Sequence, residues 1–152
     1  MDAAPISLEE PSSVLEILFQ FIHPRSESTQ FRQPSVKNLE PKLFFAVAEA
    51  AEKYIVYGAM NTFLTRMEWY GLFSSSLHEN SELEVYSSEL VDGQPIEVLN
   101  HAYKHGYPDL ADKAAYSSLA WPLKDILHGL THPGLLQKWV GGLKTALYLA
   151  KY

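Results

Sequence analysis

Four prolines, Pro95, Pro108, Pro122 and Pro133, stand eleven to fourteen residues apart in the second half of the chain, and they set the length of any helix that forms there. Proline lacks a backbone N–H and its ring clashes with the preceding turn, so it opens a helix readily but breaks one from inside. The spacing therefore predicts a series of short helices. One starts at Pro95 and stops at Gly106 in a left-handed cap. A second is capped by Asp109 and runs towards Trp121. A third opens at Pro122 and turns Leu123, Ile126, Leu127 and Leu130 inward. A fourth opens at Pro133, carries Leu135, Leu136 and Trp139, and is closed by Gly141-Gly142. A terminal helix over Leu143 to Tyr152 follows.

The first half is also helical by pattern. Ser13-Val14-Leu15-Glu16 fits a capping box, in which the Ser and Glu side chains each satisfy a free N–H of the first turn. That helix ends at His23-Pro24, and residues 24 to 37 read as a surface connection. Asn38 is placed to cap a helix with Leu43, Val47, Ala50 and Tyr54 on one stripe. After a break near Ile55, a second stripe follows through Val56, Ala59, Met60, Phe63, Leu64 and Met67. Two antiparallel helices joined by a tight turn satisfy both stripes, with Ala46, Ala48, Ala50 and Ala51 allowing close approach. The fold class is mostly α: a helical hairpin plus a short-helix extension, with a long acidic insert between them.

The insert is where the charge lies. No Lys or Arg occurs between Arg66 and Lys104, while seven Asp and Glu do, so a chain of net charge −6 is +1 outside that stretch. Residues 72 to 94 are rich in Ser and lack an apolar stripe, which reads as flexible, with Glu82 to Tyr86 the nearest thing to a strand. The expected organisation is a tail over 1–11, a helical part over 12–67, the acidic insert over 68–94 and the extension over 95–152.

Composition excludes several classes of function. With 152 residues and no cysteine, the chain has no disulfide framework, Cys-ligated metal or catalytic thiol. The acidic balance argues against nucleic acid as a partner. The longest apolar run, Val14 to Ile22, contains Glu16 and Gln20 and is too short to span a bilayer, which argues against a membrane partner. Met1 to Pro5 carry no basic region and lead into Glu9 and Glu10, unlike a secretory signal. The expected location is intracellular, in cytoplasm or nucleus.

Candidate chemistry is sparse. His101 and His105 share one helix face, as the first two ligands of many zinc sites do, but a catalytic zinc also needs a third ligand and a base. Asp109 lies beyond Gly106 and Pro108, so the ordinary reading is a surface or helix-terminal His pair. His23 and His132, each before a proline, mark helix ends. There is no Gly-x-Ser-x-Gly elbow, and Gly141-Gly142 lacks the spacing of a phosphate loop. Glu49 and Glu52 read as a solvated face. No cofactor is expected. Among the aromatics, Phe19, Phe21, Phe44, Phe45, Tyr54 and Phe63 fall on helix stripes and read as core, whereas Trp69, Tyr70, Phe73 and Trp121 fall at element ends, where partner surfaces use exposed rings.

Three segments carry a family resemblance: Val14-Leu15-Glu16-Ile17-Leu18-Phe19-Gln20-Phe21-Ile22-His23-Pro24; Ala46 to Tyr54 followed by Ala59-Met60-Asn61-Thr62; and Ile96 to Asn100 continuing through His105 to Ala115. Together they resemble the C-terminal half of a BTB/POZ domain with its helical extension, of the kind found in mushroom-forming fungi. The likeness spans roughly 12–67 and 95–140. The strand-and-helix half that opens such domains has no counterpart, so the expectation is a truncated BTB/POZ-like fold, and residues 68 to 94 also depart from the pattern. The resemblance implies a non-enzymatic protein–protein interaction module, an adaptor or a self-association domain, with a cullin-type scaffold among its partners. The face that the missing half would cover involves Leu15, Leu18, Phe19, Phe21, Phe44 and Phe45. Two other readings compete: a small metal-dependent hydrolase using His101 and His105, and a non-functional truncated fragment.

Overall fold

The computed structural model describes residues 7–23, 33–73 and 94–149, and the backbone alone at 69–73 and 143–149. Every regular element among the described residues is a helix: α1 (Ser12–Ile22), α2 (Pro41–Tyr54), α3 (Tyr57–Phe73), α4 (Pro95–His105), α5 (Pro108–Ser118), α6 (Leu123–Gly129) and α7 (Pro133–Leu149). The chain divides into two compact units, Met1–Leu64 and Thr65–Tyr152, with the boundary inside α3. None of these helices is long and apolar enough to cross a membrane.

In the first unit, Val14 and Leu18 of α1, Phe44, Val47, Ala48, Ala50 and Ala51 of α2, and Ala59 and Phe63 of α3 are buried. The helix that packs along α2 is α1. Helices α2 and α3 meet through rings: Phe63 lies edge-on to Phe44 at 4.8 Å and tilted against Phe21 at 6.1 Å. Ala48, Ala50 and Ala51 of α2 and Ala59 of α3 are buried on the same two helices. Edge and tilted geometries bring a positive ring edge to a negative face and add to the burial gain.

The expected caps are only partly made. Helix α1 begins at Ser12, with Pro11 at the N-cap and no side-chain cap bond, so the Ser13 box is not formed. The Pro11 carbonyl accepts the N–H of Val14 at 3.0 Å and of Leu15 at 3.2 Å instead. Similarly, Pro41 takes the first position of α2 behind Glu40, and Asn38 lies outside the helix. Proline at the first position leaves no N–H there to cap, which is why it displaces the polar signal upstream.

Helix ends are more telling. Helix α4 stops at Gly106, with φ 78°, and the Tyr107 N–H reaches back to the Ala102 carbonyl at 2.9 Å. Helix α2 stops the same way at Ile55, with φ 55° and ψ 45°: Val56 N–H bonds the Ala51 carbonyl at 2.9 Å and Ile55 N–H bonds that of Glu52 at 3.3 Å. This pair of bonds is the Schellman motif. Glycine enters the left-handed region freely, but a β-branched residue is strained there.

In the second unit α5 packs along α4, and α6 rests on α4. Helix α5 begins at Pro108 and ends at Ser118, short of Trp121, with Asp109 in its first turn and not at its cap. Of the four apolar residues expected to turn inward from α6, Ile126 is buried and Leu130 half-buried, while Leu123 and Leu127 are 57% and 46% exposed. That expectation is corrected: a helix of two turns presents only one narrow side to its support. Helix α7 does not stop at Gly141-Gly142 but continues to Leu149. Two glycines cost a helix roughly 1 kcal/mol each and need not end it. Helix α3 likewise runs past Met67 to Phe73, while the proposed strand at Glu82 to Tyr86 lies outside the described residues.

Candidate interaction surfaces

The six residues expected on a partner face divide by depth. Leu18 and Phe44 are core side chains of the first unit, and Leu15, Phe21 and Phe45 are half-buried. Phe19 is 45% exposed and Ile22, one turn-edge away on α1, is exposed to the same degree. Phe45 packs edge-on to Phe44 at 5.3 Å. The buried members thus form the base of the α1–α2 surface, and Phe19 is the one of the six that stands clear of it.

A polar clasp fastens the segment before α1 to the end of α2. Lys53 Nζ lies 2.9 Å from a Glu9 carboxylate oxygen and 2.6 Å from one of Glu10. The Tyr54 hydroxyl donates to the other Glu10 oxygen. The hydrogen bond from Lys53, with that from Tyr54, holds the Glu10 carboxyl below its ordinary value. In return, the bonds to Glu10 and Glu9 raise Lys53, and the bond to Glu10 raises Tyr54. Lys53 and Tyr54 immediately precede the left-handed Ile55, so the clasp fixes the chain just ahead of its strained turn.

The second unit carries a groove of about 720 Å³ between α4, α5 and α7. Its floor is apolar, from Leu99, Ala102, Leu135 and Trp139, and its room comes from Ala111 and Ala115, small residues one turn apart on α5. Asp112 stands on the α5 side and Lys138 on the α7 side. The Lys138 ammonium sits over the Tyr103 ring, 5.1 Å from its centroid, and His132 packs against the same ring at 5.0 Å. Two polar contacts stiffen the walls. Buried Trp139 donates its indole N–H to Ser118 Oγ at 2.8 Å, and Ser118 donates in turn to the Ala115 carbonyl at 2.6 Å.

Next to this groove in sequence, Leu119 at the end of α5 is exposed, and so are Leu123 and Leu127, one turn apart on α6. Helix α6 is held firmly where it rests. Asn100 of α4 donates to the Gly129 carbonyl at 2.7 Å and accepts the Thr131 N–H at 3.0 Å. A Cβ at Gly129 would fall 2.6 Å from Ile96 Cγ2, so only glycine lets the helix end sit this close. The outward leucines are therefore on a fixed element and not on a loose end.

The histidine pair is also clear. The rings of His101 and His105 lie 4.6 Å apart on α4, and His101 stacks near-parallel to Tyr107 at 6.3 Å. His105 closes the last turn of α4 and is half-buried, in line with a helix-terminal pair, while His101 is only 3% exposed and so is not a surface residue. His132 accepts the Gly134 N–H at 3.2 Å, and His23 caps the end of α1. Trp121 is half-buried, and the side chains of Trp69, Tyr70 and Phe73 lie outside the described residues. Sequence reasoning missed the groove and the outward leucines; the alternation of Ala111 and Ala115 with Asp112 was the signal available for the first.

No family model, no curated protein and no solved structure matches this chain.

Proposed function

We propose that this chain is a non-enzymatic protein–protein interaction module of BTB/POZ type, acting as an adaptor or self-association domain inside the cell, in cytoplasm or nucleus. The observation that supports the reading best is that well-anchored helices leave large apolar side chains outside: Phe19 and Ile22 on α1, and Leu123 and Leu127 on α6. Grouped exposed apolar side chains mark places where another macromolecule replaces water. The acidic balance disfavours nucleic acid as that macromolecule. Within the resemblance, a cullin-type scaffold is one partner of the right kind. The test is a photo-crosslinking side chain placed in living cells at position 19 or 127, with exposed position 16 as control. A protein adduct at 19 or 127 but not at 16 is expected; no protein adduct at either position contradicts the reading.

A second reading is a metal-dependent hydrolase on His101 and His105, favoured by their 4.6 Å ring separation. Zinc titration by calorimetry decides it: stoichiometric binding lost in both H101A and H105A supports a metal centre, and no binding ends that reading.

A further inference from the structure

We draw no further inference here: the strongest candidate, the apolar groove of about 720 Å³ between α4, α5 and α7, carries nothing because nothing in the structure shows what covers it.

Discussion

Trp139 donates its indole N–H to Ser118 Oγ at 2.8 Å, in a place where both side chains are shut off from water. The bond ties α7 to the end of α5 and so fixes two sides of the groove. In S118A the indole N–H keeps its burial and loses its acceptor, and an unsatisfied buried donor costs about 1–3 kcal/mol. Urea denaturation is expected to show a lowered midpoint of that size. An unchanged midpoint would mean that Trp139 finds another acceptor and that the bond does not hold the walls.

Phe63 is the common partner of Phe44 and Phe21. It joins three helices of the first unit and is buried. F63A is expected to destabilise that unit by about 3–5 kcal/mol, since it leaves a cavity as well as losing burial, while F63L loses markedly less. Hydrogen exchange over α1 and α2 reads this out directly. Equal protection in wild type and F63A would contradict the ring-based packing.

Ile55 sits at φ 55° with its side chain 59% exposed, so it bears conformational strain and buries little in exchange. A left-handed L-residue costs roughly 1–2 kcal/mol. Part of that gain is offset in I55G by the greater freedom of glycine in the unfolded chain. The net expectation is stabilisation of up to about 1 kcal/mol, seen as a raised thermal midpoint. A lowered midpoint in I55G would show that the isoleucine side chain contributes more than its backbone costs.

The clasp at Glu10, Lys53 and Tyr54 gives a pH window. Glu10 is shifted below its ordinary 4.5 by the bonds from Lys53 and Tyr54, so its contribution is present above 4.5 and lost as pH falls through the lowered value. Lys53 is shifted above 10.5 and Tyr54 above 10.0, so their contributions are present below those values and lost as pH rises through the raised ones. Between the two limits, amide exchange at residues 7–10 is expected to be slowed, and E10Q is expected to speed it. Glu9 and Lys53 are open to solvent, so added salt weakens the effect. Amide protection at 7–10 that is indifferent to pH, salt and E10Q would show that the clasp tethers nothing.

How far the fold could be read in advance depended on which residue did the work. Prolines at positions 95 and 133 announced helix starts, and Gly106 announced a stop, because each acts through its own backbone geometry, whereas α5 starts at Pro108 and not behind the expected Asp109 cap. The caps at Ser13 and Asn38 were misread because a neighbouring proline, Pro11 or Pro41, took over the helix start. Ile55 as a left-handed cap could not be anticipated, because the side chain that stands there is one this conformation disfavours. At the candidate surfaces, Phe19 lies on a stripe that reads as core and is exposed, while Leu18 and Phe44, expected on the partner face, are core. Leu123 and Leu127 were placed inward because periodicity gives a helix an apolar side without saying whether anything covers it.

The most direct measurement places a photo-crosslinking side chain in living cells at position 19 or 127, both exposed, with exposed position 16 as control. Protein adducts at 19 or 127 but not at 16 are the expected result. No protein adduct at either position would contradict the interaction-module reading.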